Sequence, residues 1–199
     1  MRRDVVMDMS VRDFFRERYG IKGEEALDGL EAITEVIQMK RGDILLKQGE
    51  IAEKVFFQVD GIMRGFFLDE EGRDHTECFS WQFDLPAMPS GDLEAPSPLT
   101  MEVLMEGTLY AVPIPQLFEL LHRNEELMET YHRMLIASME LHYKIKRVLY
   151  QYDTKQRYEW FEKNFPNILG KVELRYIAFF LNMTPETLSR VRKDLRKRA

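Results

Sequence analysis

Four polar side chains near the C-terminal end of the chain share the spacing of one helical face. They are Glu186, Ser189, Arg190 and Lys193, at positions i, i+3, i+4 and i+7. An arginine can donate two hydrogen bonds to guanine, and a glutamate can accept one from the N4 amino group of cytosine. These residue types therefore indicate a surface that reads DNA bases. The plain alternative is a solvated i,i+4 ion pair between Glu186 and Arg190.

Two short helical segments, VELRYIAFFL and PETLSRVRKDL, surround the turn that must position these side chains. Only Asn182, Met183 and Thr184 separate them, which forces the second helix to cross the first steeply. Asn182 tolerates the positive φ of a sharp turn, Thr184 suits the N-cap, and Pro185 suits the first helical position. The pattern predicts a helix-turn-helix and favours base reading over the ion pair. Its expected apolar interior comprises Ile177, Phe180, Leu181, Leu188, Val191 and Leu195.

The charge distribution supports contact between this end of the chain and a polyanion. Residues 144–199 contain 14 Lys and Arg against 6 Asp and Glu, whereas residues 1–143 contain 14 against 28. We expect the basic side chains beyond Arg190 to bind phosphate groups, which orients a protein on DNA without reading sequence. The full predicted DNA-binding set is Thr184, Glu186, Thr187, Ser189, Arg190, Arg192, Lys193, Arg196 and Lys197.

The rest of the sequence contains no pattern typical of catalysis. Cys78 is the single cysteine, so a multi-thiolate metal site is excluded. The four histidines have no metal-ligand spacing, and we find neither a nucleophile–base arrangement nor a phosphate-binding loop. We therefore predict that the chain is not an enzyme and needs no metal or cofactor.

The middle of the chain has the pattern of an antiparallel β structure. Residues 42–50, 54–81 and 99–113 are β-branched and aromatic runs broken by Gly, Asp and Glu. Asp60-Gly61 predicts a two-residue hairpin, and the segment DEEG (69–72) predicts a longer hairpin loop. We expect a β-sandwich or β-roll, preceded by helical residues within 10–35.

Apolar residues recur with alternating four- and three-residue spacing after Asn124, which is placed to cap a long helix. Such a two-in-seven seam favours pairing with the same helix of a second copy. The alternative, packing on the chain's own β domain, needs a broader apolar stripe. The seam predicts a homodimer with an interface formed by Leu127, Tyr131, Met134, Leu141, Ile145 and Val148.

With these motifs, nearly the whole chain resembles the Crp/Fnr family of bacterial transcription regulators. GDILLKQGEIAEKVFFQVDGIMRGFF resembles the start of the family's cyclic-nucleotide-binding-type β-roll, and RYIAFFLNMTPETLSRVRKDL resembles its helix-turn-helix. The resemblance places Glu186 and Arg190 on the family's base-reading Glu and Arg, and Ser189 on a Ser of the Fnr branch. It implies an α+β fold: an N-terminal antiparallel β-roll of jelly-roll type, a long dimerisation helix and a C-terminal helix-turn-helix domain.

The resemblance also implies an effector pocket, but the chain departs from the family there. The stretch FDLPAMPSGDLEAPSPLTMEV (83–103) has Ser97-Pro98 where the family places Arg-Ser, and no Lys or Arg occurs between Arg73 and Arg123. A buried cyclic phosphate would lack its charge-assisted hydrogen bonds, so we expect an effector that is not a cyclic nucleotide. The predicted pocket residues are Phe83, Asp84, Leu85, Ser97 and Thr100.

The expected function is a homodimeric transcription regulator that binds a palindromic operator in double-stranded DNA. We expect three parts: a sensor (1–123), a dimerisation helix with its hinge (124–152) and a DNA-binding domain (153–199). RNA polymerase is a further candidate partner. The alternatives are a sensor module that acts through protein contacts, and a helical scaffold that binds neither ligand nor DNA. No apolar run has the length of a membrane span, so no membrane contact and a cytoplasmic location are expected.

Overall fold

The computed structural model describes residues 9–81 and 95–196. Its helices are α1 (Val11–Tyr19), α2 (Glu24–Ile33), α3 (Ile114–Arg123), α4 (Glu125–Gln151), α5 (Thr154–Asn164), α6 (Leu174–Phe180) and α7 (Pro185–Arg196). Its strands are β1 (Glu35–Met39), β2 (Ile44–Leu46), β3 (Lys54–Gln58), β4 (Ile62–Leu68), β5 (Asp74–Trp81), β6 (Thr100–Met105) and β7 (Gly107–Pro113). No helix in the described ranges is both long enough and apolar enough to cross a membrane.

The strands form two antiparallel sheets that enclose an apolar core. One sheet has the order β1-β7-β3, and the other has the order β2-β6-β4-β5. Alternating residues of both sheets point inward, because successive side chains of a strand face opposite sides. The core between the sheets includes Met39, Leu46, Phe56, Met63, Val103 and Leu109. This arrangement confirms the predicted α+β fold with a β-roll.

The two predicted hairpins have different outcomes. The 69–72 loop joins two paired strands, since Leu68 of β4 lies opposite Asp74 of β5. The hairpin at Asp60-Gly61 is wrong, because β3 and β4 belong to different sheets. The chain instead turns a corner between the sheets, and the Asp60 carboxylate accepts a hydrogen bond from the Thr108 N–H. Gly61 has φ 81° there, and a Cβ atom would lie 2.8 Å from the carbonyl oxygen of Met105.

The first three helices and the start of α4 cover the outer face of the β1-β7-β3 sheet. Phe14 and Phe15 of α1 are almost fully buried against strand residues, with ring centroids 5.0 Å apart for both Phe14–Tyr110 and Phe15–Phe57. Leu127 of α4 belongs to the same cluster. This cluster attaches the N-terminal half of α4 to the β-roll.

The face of α4 that carries the predicted heptad seam is turned toward the chain's own body. Leu127 and Val148 are each 3% exposed within one copy, so they offer almost no surface to a second copy. Tyr131 and Met134 pack on the apolar cluster between the first three helices and the β1-β7-β3 sheet. Ile145 packs on the core of the C-terminal helices. The prediction that Leu127 and Val148 form the dimer interface is therefore wrong, whereas the predicted place of the half-buried Leu141 in that interface stays a prediction. A two-in-seven spacing does not distinguish an intermolecular seam from packing on the chain's own domain.

The opposite face of α4 has exposed apolar side chains from the middle of the helix to its C-terminal end. Tyr143 and Tyr150 are 66% and 79% exposed, and Ile136 and Met139 are also exposed. Ile136, Tyr143 and Tyr150 lie seven residues apart, which places them on one side of the helix. His132 is exposed one turn before Ile136. This face is named the outer stripe: Ile136, Met139, Tyr143 and Tyr150.

The three C-terminal helices share an apolar core with the second sheet of the β-roll. Phe79 of β5 contacts Phe161 of α5 and Phe180 of α6, with ring centroids 6.1 and 5.4 Å apart. Ile62 and Leu104 of the roll belong to the same cluster. The helix-turn-helix is therefore docked on the roll by direct packing as well as through α4.

A buried arginine reinforces this docking. Arg64 of β4 is 4% exposed; its guanidinium lies 2.7 Å from oxygens of both Asp74 and Glu102 and donates to the Thr76 hydroxyl at 2.9 Å. The Tyr176 ring of α6 stacks on the guanidinium at 4.0 Å. Although burial opposes its charge, the hydrogen bonds to the two carboxylates raise the pKa of Arg64 above its ordinary value.

Candidate nucleic-acid interface

The turn between α6 and α7 has the backbone geometry that the sequence predicts. Asn182 has φ 52°, and it is the only non-glycine residue of the described chain with positive φ. The Met183 N–H donates to the Ala178 carbonyl at 2.9 Å, and the Asn182 N–H donates to the Phe179 carbonyl at 3.0 Å. These two bonds form a Schellman motif, which ends α6 and turns the chain sharply into α7.

The start of α7 is capped by a side chain as predicted. The Thr187 N–H donates to the Thr184 hydroxyl oxygen at 3.2 Å, which satisfies one of the free N–H groups at the helix start. Pro185 is the first helical residue, where its missing N–H costs nothing. The cap fixes where the helix begins and therefore which side chains face outward.

The apolar side of α7 packs against α5 and α6. Leu188 is fully buried, and Val191 and Leu195 lie against the same cluster. Ile177 and Ala178 of α6 are fully buried beneath them. The predicted apolar interior of the helix-turn-helix is thus present in the fold.

The polar side of α7 presents the predicted base-reading residues to solvent. Glu186, Ser189 and Arg190 are all exposed. Among the described residues, no ion pair joins Glu186 to Arg190, so the plain alternative of a surface salt bridge is not realised in the structure. Hydrogen bonds from its own backbone N–H and from the Thr184 side chain lower the pKa of Glu186. The carboxylate therefore stays ionised to lower pH than an ordinary glutamate, and because it is exposed its remaining lone pairs can accept further hydrogen bonds.

The predicted phosphate-binding residues do not all point the same way. Lys193 and Arg196 are exposed on α7. Arg192 instead turns toward α5, where its Nε atom donates to the Tyr158 hydroxyl at 3.0 Å. Thr187 is half-buried, and its hydroxyl lies 3.1 Å from that of Thr184. Lys197 lies outside the described residues. Arg192 and Thr187 thus have structural contacts that sequence spacing could not foresee.

The predicted effector pocket is only partly within the described residues. Phe83, Asp84 and Leu85 lie outside them. The Ser97 hydroxyl is buried and donates to the Leu99 carbonyl at 2.8 Å, and the Thr100 hydroxyl accepts a bond from the Gln48 N–H at 3.0 Å. Both hydroxyls thus stabilise the strand edge. Within residues 9–81 and 95–196, no group of three His, Cys, Asp or Glu side chains is placed to hold a metal ion.

Two arginines that sequence reasoning did not single out have central places in the structure. Arg64 lies between the β-roll and α6, and Arg157 of α5 donates to the turn at Leu181 and Asn182. Their sequence neighbours contain no motif that distinguishes them from exposed arginines. Their distant partners identify both of them, and burial also identifies Arg64.

Comparison with solved structures identifies the fold. FixK2 from Bradyrhizobium japonicum superposes with a TM-score of 0.75 at 18% identity, covering 83% of this chain and 86% of that one. A regulator of the Crp/Fnr family from Eubacterium rectale gives 0.70 at 13% identity, covering 89% and 85%. The chain has the Crp/Fnr fold. No family model and no curated protein matches the sequence.

A third solved structure aligns with even more of this chain. A CooA mutant from Carboxydothermus hydrogenoformans superposes with a TM-score of 0.68 at 15% identity, covering 92% of this chain and 84% of that one. The similarity therefore includes the β-roll, the long helix and the helix-turn-helix together.

Proposed function

We propose that this chain is a homodimeric transcription regulator of the Crp/Fnr type that binds DNA sequence-specifically and is not an enzyme. The observation that carries the proposal is the exposed Glu186–Ser189–Arg190 face of α7, held outward by a capped helix and a Schellman turn. An ionised glutamate and an arginine without an ion-pair partner among the described residues are the groups that base edges require.

The residues of α7 have separate roles in this proposal. Arg190 reads a guanine, Glu186 reads the neighbouring cytosine on the other strand, and Ser189 adds a weaker contact. By resemblance to the Fnr branch, the half-site contains a TGA-like core that is repeated as a palindrome. Lys193 and Arg196 bind phosphates and set the orientation of the helix.

Dimerisation through α4 supplies the second reading helix. A palindrome needs two helices about 34 Å apart, one DNA turn, and a symmetric dimer provides them. We assign the interface to the outer stripe, because Leu127 and Val148 of the predicted seam are buried within one copy. Four exposed apolar side chains on one helix face would otherwise remain in water.

The three parts of the chain have separate functions in this proposal. Residues 1–123 form a sensor for a small molecule that is not a cyclic nucleotide, residues 124–152 form the dimerisation helix and hinge, and residues 153–199 bind DNA. RNA polymerase is a further candidate partner, and the proposed location is the cytoplasm. The charge distribution supports this division, because basic residues are in excess within 144–199 and acidic residues are in excess within 1–143.

Selection from a pool of random duplex DNA tests the proposal directly. The selection is run once without and once with cell metabolites, which serve as a source of effector. We expect the native chain to enrich a palindrome in at least one of the two selections. The Arg190→Ala variant, selected in parallel, should enrich sequences that vary at one base pair of each half-site. If the native chain enriches no sequence under either condition, the alternative of a sensor that acts through protein contacts is favoured instead.

A further inference from the structure

Arg157, on the second turn of α5, connects two chain segments that are far apart in sequence. Its Nη2 atom donates to the Leu149 carbonyl at 2.6 Å, and its Nε atom donates to the Tyr152 carbonyl at 2.9 Å. Its Nη1 atom donates to the Leu181 carbonyl at 3.1 Å and lies 3.4 Å from the Asn182 carbonyl. One guanidinium thus holds the end of α4 and the turn of the helix-turn-helix together.

The acceptors explain why an arginine is needed at this point. Leu149 is in the last turn of α4, and Tyr152 and Leu181 are the C-caps of α4 and α6. Carbonyl groups at helix C-termini lack intrahelical partners and carry partial negative charge. The guanidinium presents its donors as a rigid planar fork, so it can reach both segments at once. A lysine would place its donors around a single nitrogen atom.

We propose that Arg157 is the positioning residue that fixes the orientation of the helix-turn-helix relative to α4. The effect of this orientation on DNA binding rests on the proposed function. Because α4 joins the two copies there, the angle between α4 and the turn sets the separation of the two α7 helices. Asn182 begins the turn that aims α7, and only Met183 separates it from the Thr184 cap. Ile145 of α4 also packs on the core of the C-terminal helices, but that contact is apolar and non-directional. Arg157 adds the directional hydrogen bonds between the end of α4 and the turn.

A distance measurement in the full chain tests the positioning role without DNA. Spin labels are attached to cysteines introduced by Ala137→Cys on α4 and Asp194→Cys on α7, and Cys78→Ser removes the native labelling site. The labelled chain is diluted with an excess of unlabelled chain, so that only distances within one copy are measured. Both labelled positions are exposed and lie outside the outer stripe and the predicted DNA contacts. We expect one narrow distance for the native side chain. Arg157→Gln should lose that single distance in favour of a broad distribution.

Two further variants separate orientation from charge and from folding. Arg157→Lys keeps the charge but not the fork, and it should also broaden the distribution. Lys163→Gln removes a positive charge from an exposed position of the same helix and should leave the narrow distance intact. Thermal unfolding of each variant shows that it is folded. A narrow, unshifted distance in folded Arg157→Lys or Arg157→Gln would overturn the proposal.

The spacing of DNA half-sites gives a second readout. Using the palindrome that the native chain selects, duplexes are made with the spacer lengthened or shortened by single base pairs, together with a single half-site. Arg157→Gln should lose about tenfold in affinity for the best-spaced palindrome and flatten the preference for spacing, because the two reading helices are no longer held at one separation.

The single half-site distinguishes positioning from damage to the reading helix itself. Arg157→Gln should bind it as tightly as the native chain does. An equal loss on the single half-site and the palindrome would mean that Arg157 supports folding rather than orientation. If the native chain selects no DNA at all, the proposed function fails, while the spin-label distances still decide whether Arg157 orients the helix-turn-helix.

Discussion

Three arginines of the C-terminal helices differ in whether and how they are hydrogen-bonded within the protein, and this difference defines their roles. Arg190 is exposed, Arg192 donates to the Tyr158 hydroxyl, and Arg157 donates to main-chain carbonyls of two segments. An arginine that is satisfied within the protein would have to break those bonds before it could bind DNA. Arg190 is therefore the one of these three that is available to read a base.

Replacing Arg190 by alanine should weaken DNA binding and change its specificity. Loss of a bidentate hydrogen bond to guanine should cost about 1–3 kcal/mol and relax the preference at one base pair. Titration of the selected palindrome and of its single-base variants measures both effects. If affinity and base preference both stay unchanged, Arg190 does not read DNA.

Lys193→Ala is the matched control for that experiment, because Lys193 is exposed on the same helix one turn further on. Binding to a phosphate involves no base preference, so all sequences should be weakened alike. The slope of log affinity against log salt should become shallower by about one unit for each phosphate that the variant no longer neutralises. A change in base preference for Lys193→Ala would show that it contacts a base edge.

At the scale of the element, α4 has two faces with different tasks. One face packs on the chain's own two cores through Leu127 and Ile145, and the opposite face has the outer stripe. A single helix can pack on its own chain and also offer an apolar face to a second copy, because only one of its sides is buried within the chain. The two faces should respond differently to the same substitution.

Charges placed on the outer stripe should dissociate the dimer without unfolding the chain. The variant with Ile136→Asp and Tyr143→Asp puts carboxylates on a face that is exposed in one copy, so each copy should stay folded. Sedimentation should give the mass of one chain, and circular dichroism should be unchanged. A mass that stays at two chains would exclude this face as the interface.

Ile145→Asp is the control on the other face of α4. Ile145 is half-buried against the core of the C-terminal helices, so a charge there must be desolvated. We expect a lower free energy of unfolding, by about 1–3 kcal/mol, measured by urea denaturation. Dissociation of a fully stable chain by Ile145→Asp would instead support the heptad seam predicted from the sequence.

On the scale of the whole molecule, the β-roll and the C-terminal helices share one core. Phe79 of the β-roll contacts both Phe161 and Phe180 of the helices, and Tyr176 covers the buried Arg64 guanidinium. Parts that share an apolar core unfold together, because neither part can leave without exposing the other. A change in the roll can therefore reach the helix-turn-helix directly, as well as through α4.

Calorimetry should show one unfolding transition for the native chain and two for Phe79→Asp. The aspartate places a charge in the shared core, while the roll keeps its inner core and the helices keep contacts such as Phe161–Phe165, whose centroids lie 4.9 Å apart. Phe56→Leu, within the roll's own core, is the control and should lower the midpoint of a single transition. Two transitions in the native chain would contradict cooperative docking.

Cyclic AMP and cyclic GMP should bind no more tightly than about 1 mM, because no charge-assisted hydrogen bond to the phosphate is expected. The buried Arg64 cannot supply one, since Asp74, Glu102 and Thr76 already accept its hydrogen bonds. Isothermal calorimetry measures the affinity, with 5′-AMP as the control for non-specific nucleotide binding. A micromolar dissociation constant for either cyclic nucleotide would refute the expectation.

The sequence by itself determined the features that depend on neighbouring residues. The Asn182 turn, the Thr184 cap, the Asn124 cap of α4 and the 69–72 hairpin follow from side chains that bond within a few positions of themselves. The change from strand to helical periodicity likewise predicted the β-roll and the helices that follow it. Such rules are short-range, so they can be read along the chain.

Only the tertiary structure decided the features that depend on distant partners. Asp60-Gly61 turns between two sheets because Thr108 binds Asp60, and the seam of α4 faces inward because the two cores lie on that side. Arg192 and Arg157 resemble surface arginines in the sequence, yet Tyr158 and four carbonyl groups hold them in place. Apolar spacing predicts that a face is buried, but what buries it depends on the elements that long-range packing brings against it.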